Sequence, residues 1–301
     1  MSRVLITGVD GFTGRYLAPL IAAQGHEVHG LVQRLPEPGT PLPDGVQALH
    51  ASDLLDAEGL LRIAKAVRPE RVAHLAGIAL VSHADVGAIY RVNLIGTRVL
   101  MGALAVGDAP PSAILLASSA NVYGNATEGV LDEQVPPAPA NDYAVSKLAM
   151  EHMVATWRGR LPFTIVRPFN YTGVGQSPDF LLPKIVSHFR GRAPVLELGN
   201  LDVERDFSDV RMVADAYARL LDHGHFTGPF NVCSGVGSAL RDVLRMATEL
   251  SGHELEIRVN PAFVRANEVK TLVGSRAALE AAIGPLQPRP LQDTLGWMLR
   301  G

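Results

Sequence analysis

The first half of the chain alternates short apolar runs with segments of helical spacing. The apolar runs have the length of buried strands and lack an apolar–polar alternation, as expected when both faces of a parallel sheet are covered. They are Val4–Thr7, Glu27–Val32, Val46–Ala51, Arg71–Ala76, Ala113–Ala117 and Phe163–Arg167. The helical segments between them are Arg15–Gln24, Ala57–Val67, Val86–Leu104 and Tyr143–Trp157. This order of strands and helices predicts an α/β fold with a doubly wound parallel sheet.

The pattern changes after residue 170, where loops rich in Gly, Pro and Asn alternate with short helical segments. The helical segments are Leu182–Arg190, Arg211–Leu221 and Ala239–Leu250. We predict one domain at residues 1–170, to which later segments return, and a smaller mixed C-terminal region at 171–301. This region is expected to form a lid around a ligand rather than an independent core. Residues 124–142, which hold three prolines, are expected to form an exposed loop.

Composition excludes several classes of protein. Hydrophobic residues make up 47% of the 301 residues, which is enough for a sizeable core, and the net charge of −3 argues against binding nucleic acid through a basic surface. A single cysteine, Cys233, excludes a disulfide within the chain. The sequence shows no secretion signal and no apolar run near the ~18 residues of a membrane span. We therefore expect a cytoplasmic protein with no membrane partner.

A glycine-rich turn, GVDGFTG at residues 8–14, follows the first predicted strand and opens a helix. In a dinucleotide site, glycines allow a tight turn and a close approach of backbone to pyrophosphate, and the helix N-terminus faces the phosphates. We therefore predict that Gly8, Gly11, Phe12 and Gly14 bind a dinucleotide. An ordinary strand–helix corner also uses glycine, so the motif by itself leaves both interpretations open.

The end of the second predicted strand bears on the choice of cofactor. An acidic residue there accepts a hydrogen bond from the ribose of NAD, but this sequence has Gln33 and Arg34. Arg34 is suited to a 2′-phosphate and favours NADP, with NAD and a solvent-facing arginine as the alternative. Asp53 and Leu54, after the third strand, are candidates for the adenine contact, although Asp53 is equally suited to cap a helix.

A tyrosine and a lysine stand four residues apart in YAVSK, as Tyr143 and Lys147. On a helix this spacing places both on one face. A nearby ammonium stabilises a phenolate and lowers the pKa of the phenol, which lets a tyrosine exchange protons near neutral pH. Ser118 and Ser119 end the fifth predicted strand, where a hydroxyl can bind a substrate oxygen. Taken alone, a tyrosine and a lysine at this spacing usually reflect packing and a solvated charge.

Several motifs follow one another along nearly the whole chain. They are GVDGFTG at 8–14, HLAG at 74–77, VNLIGT at 92–97, SSANVYG at 118–124, YAVSK at 143–147, RPFN at 167–170, RDFSDV at 205–210 and NVCSG at 231–235. With them the chain resembles the extended short-chain dehydrogenase/reductases, the NAD-dependent epimerase/dehydratase family, and within it the GDP-4-keto-6-deoxy-D-mannose reductases. The resemblance implies a Rossmann-type fold and a homodimer. It makes residues 1–170 the dinucleotide-binding domain and 171–301 mainly the nucleotide-sugar-binding region.

The resemblance also implies roles for single residues. Tyr143 would be the general acid/base and Lys147 the partner that lowers its pKa, and both would also contact the cofactor. Ser119 would be the hydroxyl that orients the substrate. Residues implied in binding the nucleotide sugar are Ser82, Asn121, Asn170, Arg205, Arg265 and Glu268. The implied chemistry needs no metal ion, and the histidines lack metal-ligand spacing.

Two positions narrow the expected reaction. The 4,6-dehydratases of this family need a further acid/base after the serine, and this chain has Ala120 and Asn121 there, so dehydration is not expected. The resemblance then implies reduction of the C4 keto group of a GDP-4-keto-6-deoxyhexose by NADPH or NADH. The product would be GDP-D-rhamnose or GDP-6-deoxy-D-talose, for a surface polysaccharide. The alternatives are an NAD-dependent 4-epimerase of a GDP- or dTDP-activated 6-deoxyhexose and a catalytically silent NADP-binding sensor.

Overall fold

The computed structural model describes residues 1–81, 84–106, 109–124, 129–264 and 270–301. Their strands are β1 (Arg3–Thr7), β2 (Glu27–Val32), β3 (Ala48–Ala51), β4 (Arg71–His74), β5 (Ala113–Ala117), β6 (Val130–Leu131), β7 (Phe163–Pro168), β8 (Asn170–Thr172), β9 (Val195–Leu198), β10 (Glu204–Asp209), β11 (Pro229–Val232), β12 (Gly237–Ala239), β13 (Glu256–Val259) and β14 (Thr271–Gly274). The helices are α1 (Phe12–Ala23), α2 (Ala57–Val67), α3 (Val86–Tyr90), α4 (Thr97–Val106), α5 (Asp142–Ala155), α6 (Leu181–Arg190), α7 (Val210–His223), α8 (Leu240–Ser251), α9 (Ala277–Ile283) and α10 (Leu291–Arg300). A π-helical segment, Arg91–Gly96, joins α3 to α4.

The main sheet has seven strands in the order β11-β7-β5-β4-β1-β2-β3. Each pair from β7 to β3 is parallel, and Val4 of β1 lies opposite Val28 of β2 on one side and Arg71 of β4 on the other. Strands are added outward from β1 in one direction and from β4 in the other. The order therefore reverses between β1 and β4, and in open α/β sheets ligands bind outside the carboxyl ends of the strands at this point.

The hydrophobic core of the main sheet lies where α2, α4 and α5 cover it. Its strand members are Leu5, Leu31, Val72, Ile114, Leu116 and Ile165, and its helix members include Leu60, Leu100, Leu104, Met150 and Val154. Coverage by helices explains why the strands are continuous apolar runs in the sequence. The predicted α/β fold and the strands and helices of the first half are confirmed, with small shifts of their ends. The predicted single helix at Val86–Leu104 is interrupted by the π-helical segment.

The second half of the chain is predicted to be a lid without a core of its own, and the structure differs from this prediction. A five-stranded sheet with the order β12-β10-β14-β6, in which β8 also pairs with β10, occupies segments that were expected to be loops. A separate hydrophobic cluster surrounds it, with Leu182, Ile185, Phe207, Val243 and Leu295 among its buried members. The expectation of no independent core was therefore wrong. It failed because all five strands are short and β10 is largely polar, so that hydrophobic patterning does not reveal the sheet.

The chain forms two compact units. The first comprises residues 1–122, 141–167 and 214–230, and the second comprises 123–140, 168–213 and 231–301. The sequence placed one division at residue 170, whereas residues 123–140 also belong to the second unit. This segment was expected to be an exposed loop, but Val130–Leu131 is a strand that pairs with β14, and Leu131 is buried.

The helical run Val86–Val106, formed by α3, the π-helical segment and α4, is long and apolar enough to cross a membrane. This differs from the expectation, based on the sequence, that no apolar run approaches that length. In the protein, 44% of its most apolar window is buried, and Leu100 and Met101 belong to the core of the main sheet. Part of this run therefore packs against the main sheet.

Candidate active site

In the glycine turn between β1 and α1, a side chain at Gly8 or Gly14 would collide with the backbone. Gly8 has φ +69°, and a Cβ on it would lie 3.0 Å from the backbone of Ala76. A Cβ on Gly14 would lie 2.4 Å from the Gly8 carbonyl oxygen and 2.6 Å from the Cα of Val9. The Gly11 amide donates to the Gly8 carbonyl at 3.0 Å, which closes the turn. At Gly8 and Gly14, only glycine fits without strain or movement of the backbone.

The start of α1 is suited to an anion. Its N-cap, Gly11, has no side chain to cap the first turn, and that turn contains no acidic residue. A helix N-terminus with exposed backbone at a glycine turn attracts phosphate through its N–H groups and its dipole. The turn lies at the carboxyl end of β1, where the sheet order reverses, so these residues fit the pyrophosphate of a dinucleotide. The Phe12 ring packs edge to face on Tyr16 of its own helix, with 5.7 Å between ring centroids.

The residues predicted to select the cofactor follow β2 and β3. Arg34 is exposed and forms no ion pair within the described ranges. Asp53 accepts from the Leu55 amide at 2.8 Å and from Gln33 Nε2 at 3.5 Å, so it stabilises its own loop. Leu54 lies in the core of the main sheet.

Replacing Arg34 by Ala is expected to weaken NADPH binding at least about tenfold and to change NADH binding little. The reason is that only NADPH carries the 2′-phosphate with which a guanidinium forms charge-assisted hydrogen bonds. Titration of the two cofactors by fluorescence measures both dissociation constants, and Arg62→Ala, on the exposed side of α2, serves as the control. Equal weakening of NADPH and NADH would remove Arg34 from the phosphate site.

Helix α5 carries the candidate catalytic pair. The Asn141 side chain caps it by accepting from the Ala144 amide at 2.9 Å, and Tyr143 and Lys147 follow one turn apart on one face. Both are buried, with exposures of 7% and 9%. Lys147 Nζ donates to the Ala117 carbonyl at the carboxyl end of β5, at 2.8 Å. This hydrogen bond ties the pair to the strand that leads into Ser119.

Burial lowers the pKa of Lys147 to about 8, although the nearby Glu151 carboxylate acts in the opposite direction. The ammonium form still predominates at neutral pH. A positive charge stabilises a nearby phenolate. Proton exchange by Tyr143, one turn away, stays a prediction that this placement of Lys147 supports.

Replacing Lys147 by Met is expected to abolish turnover and yet to raise the free energy of unfolding at pH 7 by about 1–3 kcal/mol. The folded-state pKa is below the unfolded value of 10.5, so the cost of the buried charge is present in full below pH 8. Between these pKa values the unfolded chain binds more protons, and the wild type gains stability as the pH rises. Urea unfolding at pH 7 and pH 10 should show the difference shrink. The exposed Lys65→Met is the control, and a variant no more stable than this control at pH 7 would contradict the account.

Ser119, at the end of β5, receives two hydrogen bonds from Asn121. The Asn121 backbone amide and its side-chain Nδ2 both donate to Ser119 Oγ at 3.1 Å. Ser119 is 5% exposed. Asn121 is predicted from the sequence to bind the nucleotide sugar. In the structure its side-chain amide contacts Ser119, and a contact with the substrate stays a prediction.

A buried hydrogen-bond network joins the ends of β1 and β4. His74 Nδ1 lies 2.7 Å from Thr7 Oγ1, and its Nε2 lies 2.9 Å from Thr97 Oγ1. Burial, with the charge of Lys147, lowers the pKa of His74 to about 3, so the imidazole is neutral. Because the Thr97 hydroxyl donates to the Asn93 carbonyl, it accepts from His74 Nε2, and His74 Nδ1 accepts from Thr7.

Asn93 extends this network to α5. It lies in the π-helical segment, and its side chain accepts from the Ile78 amide at 2.9 Å and donates to the Ile78 carbonyl at 3.1 Å. Its Nδ2 also donates to Ser146 Oγ, which in turn donates to the Tyr143 carbonyl at 2.7 Å. The sequence does not reveal this network as a whole, because its members are far apart in the chain.

A buried ion pair between Glu151 of α5 and Arg167 of β7 joins this helix to the main sheet. Glu151, one turn after Lys147, accepts from Arg167 Nε at 3.0 Å and Nη2 at 2.6 Å, and the two side chains are only 8% and 6% exposed. The Ser118 hydroxyl donates to the same carboxylate. Glu151 thereby joins α5 to β5 and β7. Arg167 begins the RPFN motif, but no motif includes Glu151 or indicates that the two residues pair.

The predicted nucleotide-sugar contacts fall partly in the second unit. Asn170 is the first residue of β8, and its Nδ2 is buried without a hydrogen-bond partner among the described residues. Arg205 Nη1 donates to the carbonyls of Glu204 and Lys270. Ser82, Arg265 and Glu268 lie outside the described residues, and their roles stay predictions.

Comparison with known proteins identifies the family. The model of the NAD dependent epimerase/dehydratase family matches residues 4–233, which is more than half of the chain. The chain belongs to this family. The resemblance inferred from the sequence motifs is thereby confirmed, and the glycine turn and the Tyr143–Lys147 pair both lie within the matched residues.

Two characterised relatives within this family match along nearly their whole length. GDP-6-deoxy-D-mannose reductase of Pseudomonas aeruginosa is 35% identical over 306 residues, covering 98% of this chain and 91% of the relative. GDP-6-deoxy-D-talose 4-dehydrogenase of Aggregatibacter actinomycetemcomitans is 31% identical over 283 residues, covering 94% and 91%.

Solved structures of the family agree with the fold. A Burkholderia cenocepacia protein, crystallised as a candidate epimerase, is 51% identical with a TM-score of 0.91, covering 99% of this chain and 97% of that one. RMD from Pseudomonas aeruginosa, complexed with NADPH, is 32% identical with a TM-score of 0.84, covering 100% and 98%. The prediction of a nicotinamide dinucleotide cofactor, NADP or NAD, is confirmed.

Proposed function

We propose that the protein reduces the C4 keto group of GDP-4-keto-6-deoxy-D-mannose with NADPH. The sugars named in the two relatives, 6-deoxy-D-talose and 6-deoxy-D-mannose, differ only in configuration at C4. Oxidation of either sugar at C4 gives the same ketone. In this chain, the observation that carries the proposal is the buried pair Tyr143 and Lys147, held at the carboxyl end of β5 by the Ala117 carbonyl.

Reduction of a ketone requires a hydride at carbon and a proton at oxygen. When bound, the reduced nicotinamide supplies the hydride to C4. Tyr143 donates its phenolic proton to the C4 oxygen, and the Lys147 ammonium stabilises the phenolate that remains. The Ser119 hydroxyl donates a hydrogen bond to the same oxygen, where negative charge develops. Tyr143 regains its proton from solvent, so that the ketone, NADPH and one proton give the alcohol and NADP⁺.

The residues after Ser119 disfavour dehydration. A 4,6-dehydratase needs a group there that can take the C5 proton and release the 6-hydroxyl. Ala120 has no proton to exchange, and the neutral amide of Asn121 donates to Ser119. The same positions are compatible with simple transfer of hydride and proton at C4.

Consumption of NADPH with enzymatically prepared GDP-4-keto-6-deoxymannose tests the proposal. We expect one NADPH to be oxidised for each GDP-6-deoxyhexose formed, and NMR of the product distinguishes GDP-D-rhamnose from GDP-6-deoxy-D-talose. GDP-mannose, which has no C4 ketone, is the control. Absence of NADPH consumption together with NAD(H) tightly bound to the purified protein would replace the reductase by a 4-epimerase.

Three further expectations extend the proposal. The product would supply a 6-deoxyhexose for a surface polysaccharide, and the reaction would take place in the cytoplasm.

Pairing of two copies through the helical run Val86–Val106 and α5 would form a homodimer, and the partly exposed Val86, Ile95 and Val145 on these elements support it. Sedimentation equilibrium measures the mass in solution, and a monomer at micromolar concentration would overturn the dimer.

A further inference from the structure

We propose that Asn121 is a positioning residue, which fixes the Ser119 hydroxyl as a hydrogen-bond donor to the oxygen on the reacting carbon. This inference deepens the proposed function and depends on it for the identity of that oxygen. It goes beyond the role of Ser119 itself, because it states which way the hydroxyl proton points and which neighbour decides this.

The hydrogen bonds around Ser119 leave one direction for its proton. A serine hydroxyl has one proton and two lone pairs. The Asn121 backbone amide and its Nδ2 both donate to Ser119 Oγ at 3.1 Å, so both lone pairs have a donor. No acceptor for the Ser119 hydroxyl occurs in the part of the chain that the structure describes. The remaining proton is therefore available to a ligand, and rotation that would make Ser119 an acceptor loses a hydrogen bond.

This polarity suits the chemistry at C4. A ketone oxygen has no proton, and it gains negative charge as hydride reaches the carbon, so a fixed donor stabilises the transition state more than the ground state. In the reverse direction the substrate alcohol gives its proton to Tyr143 and accepts from Ser119 through a lone pair. Ser119 donates in both directions.

Asn121 is suited to this role by local structure and by its chemistry. The short turn at Ala120–Tyr123 brings its side chain back over the end of β5. An amide nitrogen donates at every pH at which the protein is folded. An aspartate of the same shape would present only acceptors, and the Ser119 hydroxyl would then donate to that carboxylate instead of to the substrate.

Kinetics of two Asn121 variants test the proposal, each compared with the wild type on the same C4 ketone or C4 alcohol. Asn121→Ala is expected to lower kcat/KM about fivefold, as for loss of one neutral hydrogen bond. Asn121→Asp is expected to lower it about 100-fold at neutral pH, as for loss of a transition-state donor. Relative to the wild type, Asn121→Asp should recover as the pH falls toward about 4, where an aspartate protonates and can donate again. A loss with the pH profile of the wild type would overturn the proposal.

A double-mutant cycle separates positioning from direct substrate binding. If Asn121 acts through Ser119, Asn121→Ala should have almost no further effect in a Ser119→Ala background. Additive losses would show that Asn121 acts on the substrate, as the sequence predicted, or on the fold. Thermal unfolding of all variants shows whether folding is retained.

Nitrogen-edited NMR of the protein without cofactor or substrate gives an independent readout. The side-chain amide signals of Asn121 are identified by their loss in Asn121→Ala, and they should shift in Ser119→Ala. Unshifted signals would show that the Nδ2 hydrogen bond is absent, and would overturn the proposal. This measurement holds whatever the substrate, so failure of the proposed function and failure of the positioning role are distinguishable.

Discussion

Replacement of Tyr143 by Phe is expected to lower kcat about 10³-fold, within the 10²–10⁴-fold range of a lost general acid. The ring keeps its place in the buried face of α5, while the proton that must reach the C4 oxygen is removed. Because the glycine turn of residues 8–14 is untouched, the dissociation constant of NADPH should change less than about threefold, well below one kcal/mol. Steady-state kinetics with the C4 ketone and fluorescence titration of NADPH measure the two quantities.

The matched control for this substitution is Tyr90→Phe. Tyr90, at the end of α3, donates to the Asp142 carboxylate at 2.8 Å, and its hydroxyl has no part in the proposed proton transfer. We expect the control to retain turnover within a few-fold. Turnover near wild type in Tyr143→Phe would remove the phenol from the mechanism.

Removing one partner of the Glu151–Arg167 pair is expected to lower the free energy of unfolding by about 3–5 kcal/mol, because a buried charge is left without compensation. Glu151→Ala isolates the guanidinium and also deprives Ser118 of its acceptor. The double replacement of both residues by Met removes both charges and should recover most of the loss. Urea denaturation of the single and double variants measures these free energies.

An exposed ion pair provides the comparison. Arg241 and Asp202 lie 2.9 Å apart with side chains that are 64% and 77% exposed, and exposed pairs contribute about 0–1 kcal/mol. Arg241→Ala should therefore be nearly neutral. If Glu151→Ala were as mild as Arg241→Ala, the buried pair would not be what holds α5 to β5 and β7.

The sequence predicted the first unit well because its strands are buried on both faces, which makes each a continuous apolar run. The second unit was misjudged for a physical reason that β10 illustrates. Its sequence, ERDFSD, looks like a polar loop, yet Asp206 is buried and accepts from the Ser234 hydroxyl at 2.6 Å and from the Gly235 amide at 2.8 Å. Hydrogen bonds from residues distant in sequence offset part of the cost of burying this carboxylate, whose pKa burial still raises, and no local pattern shows these bonds.

The candidate site, like the fold, was predictable from the sequence only in part. The glycines of the turn, and Tyr143 with Lys147, were predictable because their chemistry depends on short, fixed spacings. The partners that hold them were not. His74 is linked to Thr7 and Thr97 across 67 and 23 residues, and such pairings emerge only when the sheet order is known.

Transfer of deuterium tests the central claim most directly. NADPH that carries deuterium at both C4 positions of its nicotinamide is incubated with the protein and GDP-4-keto-6-deoxymannose, and the sugar is analysed by NMR and mass spectrometry. We predict one deuterium in each product molecule, bound to C4 of the hexose, with NADP⁺ formed in equal amount. A C4-reduced sugar that carries no deuterium from the added NADPH, or no reduced sugar at all, would contradict the account.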